Sequence, residues 1–203
     1  LPKAWIQQRK RDYYYRRAKE EKYRSRAAYK LLQAVDKYGF IKKGDVVVDL
    51  GAAPGGWIQA ARKIVGREGF ILGVDLKRIQ PFSEDNVQTV IGDITMEETA
   101  RIISERLLKK ADVVISDASP NISGIWEWDH ARQIDLAQKA LEIAMEVLKP
   151  GGCFFVKVFQ GDMFNDFLER VKQLFKDVRV IKPKASRAQS SEMFILGMHF
   201  KHE

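Results

Sequence analysis

Three aspartates and one lysine stand out in this chain, because each ends or interrupts an apolar run. Asp75 closes Gly69-Phe-Ile-Leu-Gly-Val-Asp75, Asp93 closes Val87-Gln-Thr-Val-Ile-Gly-Asp93, and Asp117 closes Asp112-Val-Val-Ile-Ser-Asp117. Lys157 lies inside Cys153-Phe-Phe-Val-Lys-Val-Phe159. Ahead of them all, Val46-Val-Val-Asp-Leu-Gly-Ala-Ala-Pro-Gly-Gly-Trp57 passes from a β-branched run into a glycine turn. Carboxylates can accept hydrogen bonds from a ligand's hydroxyls, and a lysine desolvated among phenylalanines is a potential proton acceptor. Each residue also has a plainer reading. Aspartate starts turns, a lysine stem can snorkel to an edge, and a tight turn uses glycine without any ligand. Three acids beside one glycine turn are harder to dismiss.

The elements that would position them follow from periodicity. Short apolar runs bounded by turn residues alternate with helical patterns, which argues for a mainly parallel sheet with helices on both faces. The strands are expected at 46–50, 69–75, 87–93, 112–117, 153–159, 178–181 and 192–200. Between them come helices from Trp57 to Val65, Glu97 to Leu108 with Thr95 as cap, Asp129 to Leu148, and Met163 to Phe175. An earlier helix runs from a Ser25 cap to Tyr38 and stops at Gly39. No helix separates the last two strands, so that pair should be antiparallel. In such an open α/β sheet, ligands bind beyond the carboxyl ends of the parallel strands, where Asp75, Asp93 and Asp117 all fall. An antiparallel last strand starts at that same edge, so Glu192 should face Asp117 and Lys157. Lys30, on the first of these helices, could complete a group of two lysines and two carboxylates.

The glycine turn narrows the ligand. Gly51, Gly55 and Gly56 permit tight turning and close approach. Ala52 and Ala53 stand where a dinucleotide fingerprint needs glycine, and Pro54 removes an amide donor that a phosphate would want. Asp75 stands about twenty residues beyond the turn, where an acid can accept from a ribose diol. An adenosyl ligand without phosphates remains, and S-adenosylmethionine is the commonest of that kind. One cysteine and three scattered histidines form no metal-ligand cluster, so no metal is expected.

The 203 residues suit one well-buried α/β core. No apolar run approaches the roughly 18 residues of a membrane span, and the first thirty residues lack a signal peptide's apolar segment. Cys153 reads as a small core residue in a reducing cytoplasm, and a monomer is expected. The formal net charge is +8 and is lopsided: residues 1–30 carry eleven basic against three acidic side chains. Tyr13, Tyr14, Tyr15, Tyr23 and Tyr29 are interleaved with them. Such a stretch can neutralise phosphates and offer rings to bases, whereas an inert solubility tail needs no tyrosines. Residues 1–24 show no clear amphipathic period. They are read as a basic nucleic-acid-binding arm that orders on binding, ahead of a single α/β domain at 25–203.

Several separated motifs together resemble the RrmJ/FtsJ family of RNA ribose 2′-O-methyltransferases. They are Ser25-Arg-Ala-Ala-Tyr-Lys-Leu31, Asp49-Leu-Gly-Ala-Ala-Pro-Gly-Gly-Trp57, Ser116-Asp-Ala-Ser-Pro-Asn-Ile-Ser-Gly124, Lys157-Val-Phe-Gln-Gly161 and Lys182-Pro-Lys-Ala-Ser-Arg187 with Ser191-Glu192. The resemblance implies a Rossmann-like α/β fold of seven strands, the last antiparallel and inserted between the fifth and sixth. It implies a Lys-Asp-Lys-Glu catalytic tetrad at Lys30, Asp117, Lys157 and Glu192, and cofactor contacts at Gly55, Trp57, Asp75, Asp93 and Asp117. Lys157 would take the proton of a ribose 2′-hydroxyl, with Asp117 orienting it. The family points to a uridine of large-subunit ribosomal RNA, towards which the compact length also leans. Transfer RNA is the alternative substrate. A non-catalytic RNA-binding assembly factor with a retained cofactor pocket is the alternative class.

Overall fold

A computed structural model describes residues 12–187 and 189–201. Seven strands form one sheet: β1 (Val46–Leu50), β2 (Phe70–Asp75), β3 (Val87–Ile91), β4 (Ala111–Ser116), β5 (Leu148–Phe159), β6 (Phe175–Ile181) and β7 (Glu192–Phe200). Among the described residues six helices accompany them: α1 (Tyr13–Glu20), α2 (Ala28–Tyr38), α3 (Gly56–Val65), α4 (Glu97–Arg106), α5 (Trp126–Val147) and α6 (Phe164–Leu174). The strand order is β3-β2-β1-β4-β5-β7-β6. Pairs from β3 through β5 are parallel, while β7 runs antiparallel to both β5 and β6. The expected α/β fold with an inserted antiparallel last strand is therefore observed.

Strand alternation builds two cores. Val47, Val113, Ile115, Phe155 and Phe194 point to the side covered by α2 and α3. Their neighbours Val48, Val114, Phe154, Val156 and Ile195 point to the side covered by α5 and α6. Successive side chains of a strand face opposite ways, so a strand covered on both faces must be apolar throughout. On the α3 side the Trp57 indole stacks on Phe155 at 5.6 Å and meets Phe194 at 5.9 Å. Its Nε1–H donates to the Ala27 carbonyl at 2.7 Å, tying α3 to the start of α2. Aromatic pairs of this kind contribute about 0.5–1.5 kcal/mol beyond their burial.

Several local expectations need correction. Residues 13–20 form a helix instead of a stretch without order. Asp12 caps it, its Oδ1 accepting from Tyr15 N–H at 3.1 Å, and Ala18 is buried. Tyr14 packs on Tyr29, and its hydroxyl oxygen accepts from Gln33 Nε2 at 2.9 Å. The buried face of α1 is little more than Tyr14 and Ala18, too narrow to show as a period among so many charges. Tyr23 and Tyr29 are likewise buried, so only part of the tyrosine set faces solvent. The remainder of the proposed arm, residues 1–11, lies outside the described residues. Ser25 makes no side-chain cap to α2; its Oγ sits where a Cβ on Gly56 would come within 2.2 Å. Thr95 does not cap α4, which starts after Met96; both its groups turn back to Asp93. β5 begins at Leu148 and not after Pro150-Gly-Gly152, because Leu148 already pairs with Ala111 ahead of a register shift.

Asp49 is the exception to the apolar rule of β1. It is 1% exposed, and neither carboxylate oxygen has a hydrogen-bond partner among the described residues. Burial, and then the nearby carboxylates Asp117 and Asp75, push its carboxyl well above the usual carboxylate range. The folded chain therefore holds a proton there that the unfolded chain releases above about pH 4. Stability from this group is present at low pH and is lost as pH rises towards the folded value, at up to about 1.4 kcal/mol per pH unit. Asp49→Asn cannot titrate. Urea unfolding of both proteins without ligand should show the variant gaining relative stability as pH rises from about 4 to 7. A difference that does not vary with pH would contradict this account of Asp49.

Candidate active site

The parallel register of β4 and β5 pairs Ser116 with Val156, so the next residues, Asp117 and Lys157, emerge side by side at the carboxyl edge. Lys157 Nζ donates to the Asp117 carbonyl at 2.9 Å and lies 3.3 Å from Asp117 Oδ1. Antiparallel pairing of Phe159 with Glu192 brings the start of β7 to the same edge. Lys30 reaches across from the first turn of α2. Its Nζ lies 2.9 Å from Glu192 Oε2 and 3.8 Å from Asp117 Oδ2. The structure thus gathers all four expected residues, with Asp117 between the two lysines. Glu192 pairs with Lys30; among the described residues no ion pair joins it to Lys157.

Lys157 is only 5% exposed, and a buried ammonium is tolerated only when paired and hydrogen-bonded. Asp117 supplies both of its contacts, a hydrogen bond to the carbonyl and an ion pair with Oδ1. The strand carrying it is braced by Gln133 of α5, whose Nε2 donates to the Lys157 carbonyl at 3.0 Å and the Ala118 carbonyl at 3.2 Å. Sequence reasoning missed Gln133, since a glutamine inside an amphipathic helix carries no pattern of its own. It is buried because the ends of β4 and β5 offer carbonyls to it.

Two cavities flank the tetrad. The larger, of about 680 Å³, lies along the carboxyl edge and is lined by Gly51, Ala53, Asp75, Asp93, Asp117 and residues of the loop after β4. Leu76, Ile94, Pro120 and Leu136 give it apolar walls, and Arg132 and Asp135 of α5 close one side. A ligand pocket of this size, mostly apolar with a few convergent polar groups, suits a nucleoside-sized molecule. Asp75 is fixed by two backbone donors, Ala53 N–H at 2.9 Å and Lys77 N–H at 2.8 Å. Asp93 Oδ1 accepts from Thr95 N–H at 2.9 Å and Thr95 Oγ1 at 2.7 Å, and these bonds hold its carboxyl below the usual range. Each carboxylate keeps acceptor capacity for a ligand. Gly51, at φ 76°, lets the turn press on Ala118, where an added Cβ would come within 2.7 Å.

Gly55 and Trp57, the other two expected cofactor contacts, do not line this cavity. Gly55 backs onto Arg24 and Phe82, and the Trp57 ring is committed to the core stack. Arg24 holds the turn from outside, donating to the carbonyls of Pro54, Gln80 and Pro81 while lying 3.7 Å over the Phe82 ring.

The smaller cavity, about 390 Å³, opens beside Lys30 and Glu192 and is otherwise lined by Arg26, Ala27, Arg187, Gln189 and Ser190. Arg26 donates to Asp12 and to the Ala185 carbonyl, and Arg187 Nε lies 3.9 Å from the same Asp12 carboxylate. Burial and the adjacent Arg187 charge lower Arg26 from its ordinary value, the strain of two guanidiniums sharing one site. Such a site favours an incoming anion. The tetrad therefore stands between a nucleoside-sized cavity on one side and a basic pocket on the other. Asp117 lines the larger cavity, Lys30 and Glu192 line the smaller, and Lys157 is buried against Asp117.

Comparison with known proteins agrees with this geometry. The chain is 53% identical over 201 residues to ribosomal RNA large subunit methyltransferase E of Methanocaldococcus jannaschii, covering 98% of this chain and 82% of that one. It is 57% identical over 187 residues to the protein of the same name from Methanothrix thermoacetophila, covering 92% and 72%. Among solved structures, a protein from Plasmodium falciparum assigned as a ribosomal RNA methyltransferase superposes with a TM-score of 0.77 at 29% identity, over 88% of this chain and 98% of that one. Aeropyrum pernix fibrillarin, solved with S-adenosyl-L-methionine bound, shares the fold at a TM-score of 0.60 and 18% identity, over 87% and 75% of the two chains. The family model described as FtsJ-like methyltransferase matches residues 23–200, nearly the whole described chain, and the protein belongs to that family.

Proposed function

We propose that this methyltransferase uses S-adenosylmethionine to methylate a ribose 2′-hydroxyl of RNA, with a uridine of large-subunit ribosomal RNA as the favoured target. The observation that carries the reading is the ion-paired group of Lys30, Asp117, Lys157 and Glu192, with Asp117 lining the larger cavity and Lys30 and Glu192 the smaller. Relatives named for large-subunit ribosomal RNA support the substrate class.

The larger cavity fits the cofactor. Asp75 and Asp93 present oriented acceptors for hydroxyl and amino groups, and Leu76, Ile94 and Leu136 flank a planar base. Bound there, S-adenosylmethionine would supply an electrophilic methyl carbon on a sulfonium. The basic pocket takes the acceptor nucleotide, with Arg26 and Arg187 facing its phosphate and Lys30 and Glu192 holding its ribose. A ribose hydroxyl is a weak nucleophile until its proton is shared or removed. Lys157 Nζ is the acceptor of that proton, and Asp117 holds the side chain in position and stabilises the ammonium that results. Glu192 anchors Lys30 so that its amine is fixed and does not sweep the pocket. Alignment of two bound reactants can contribute about 7–11 kcal/mol, so placement is expected to dominate the rate enhancement.

Residues 1–24 are assigned to RNA binding and residues 25–203 to the catalytic domain. Support comes from Arg16, Lys19 and Lys22, exposed on or just after α1, whose cap Asp12 also contacts the arginines of the basic pocket. Among the described residues no helix is long and apolar enough to cross a membrane. We place the protein in the cytoplasm as a monomer, a setting that suits its free Cys153 thiol.

Large-subunit ribosomal RNA incubated with the protein and methyl-labelled cofactor should yield labelled 2′-O-methyluridine on nucleoside mass spectrometry. Label confined to transfer RNA would move the substrate. Binding of both molecules with no label in either RNA would leave a non-catalytic assembly factor. For the arm, replacing Arg16, Lys19 and Lys22 with glutamine should flatten the log–log salt dependence of RNA binding by about 0.7 per lost contact on single strands. Equal slopes for variant and parent would remove α1 from the RNA surface.

A further inference from the structure

The loop after β4 and the first turn of α5 expose four large apolar side chains, Ile122, Ile125, Trp126 and Trp128, beside the larger cavity. Single exposed apolar residues are ordinary, but a group at the mouth of a ligand site marks an interaction surface. Trp126 is set differently from the other three. Its indole is stacked on the His130 ring (5.6 Å, 19°) and on the Phe159 ring (6.0 Å, 23°), yet the residue is 45% exposed.

Its supports are themselves held. His130 Nε2 accepts from Met163 N–H at 3.2 Å, and the imidazole lies flat against Gly161, where a Cβ would come within 2.7 Å. Phe159 ends β5 and pairs with Glu192 across the β5–β7 ladder. The loop leading to Trp126 is pinned by buried Asp129, which accepts from Ser123 N–H and Oγ, both at 2.8 Å, and from Gly124 N–H at 3.1 Å. The ring is thus held in place, and one of its supports, Phe159, is the strand partner of the tetrad's Glu192. A planar partner landing on it would immobilise little that is still free.

The occupant follows from chemistry and place. Exposed Glu127 lies next in the chain and repels phosphate, so the surface suits an uncharged aromatic. Continuity with the tetrad and the basic pocket puts that aromatic within the strand whose ribose is being methylated. We propose that Trp126 is a stacking platform for a nucleobase of the substrate RNA, unstacked beside the target ribose. The inference rests on the RNA-methyltransferase reading above and adds to it how the strand is gripped.

The test uses the full chain and a large-subunit ribosomal RNA transcript as probe. Trp126→Ala should weaken RNA binding roughly 5- to 150-fold, the range for loss of one base–aromatic stack, and Trp126→Phe much less. S-adenosylmethionine affinity and the slope of RNA binding against salt should stay at the parent values, because stacking releases few counterions. Quenching of tryptophan fluorescence on adding RNA should be smaller in Trp126→Phe than in the parent even though that variant still binds, the remainder coming from Trp5, Trp57 and Trp128. Parent-level RNA affinity in Trp126→Ala, or quenching of undiminished amplitude in Trp126→Phe, would overturn the platform while leaving the methyltransferase reading intact. A parent protein that neither binds nor methylates the transcript would overturn that reading, and the platform with it.

Discussion

The ion pair between Lys157 and Asp117 is the constraint around which the rest of the molecule is arranged. An ammonium placed inside a sheet between phenylalanines is tolerable only with acceptors on hand, and Asp117 offers two of its oxygens. That arrangement exists because β4 and β5 are parallel neighbours in a register that sets Ser116 opposite Val156, so that Asp117 and Lys157 follow side by side. A shift of one residue would turn Lys157 into the opposite core, as the alternation of Phe155 and Val156 between the two clusters makes plain.

The inserted last strand completes the group. Were β7 parallel, its start would lie at the far edge of the sheet and Glu192 could not reach Lys30. Antiparallel insertion brings Glu192 to the carboxyl edge while β6 takes the outer position. α2 must in turn be held firmly for Lys30 to arrive, and the bond from the Trp57 indole to Ala27 does this from within the core. Trp57 therefore helps to position the site from within the core. The same logic applies to Arg24 and Asp12, which look like members of a charged tail but fasten the glycine turn and the basic pocket.

Much of this was legible in the chain itself. Apolar runs ended by Asp75 and Asp117 marked strand ends, and the absence of a helix between the last strands marked their antiparallel pairing. What could not be read was whatever depends on contacts distant in sequence. The helix at 13–20 has too narrow a buried face to announce itself, and its order comes from Tyr29 and Gln33. Ser25 and Thr95 have capping chemistry, but Thr95 bonds to Asp93 and the Ser25 hydroxyl packs against Gly56. Gln133 and the unpartnered carboxyl of Asp49 carry no pattern, since only the folded surroundings make either unusual.

The central claim is that Lys157, held by Asp117, removes the proton of the acceptor hydroxyl. Lys157→Met keeps the length of the side chain and deletes the amine. Single-turnover methyl transfer with both substrates saturating should fall by about 10²- to 10⁴-fold, the usual range for loss of a general base. S-adenosylmethionine affinity by calorimetry should stay near that of the parent, because the Asp75 and Asp93 acceptors are untouched. A variant that transfers methyl groups at close to the parent rate would contradict the account.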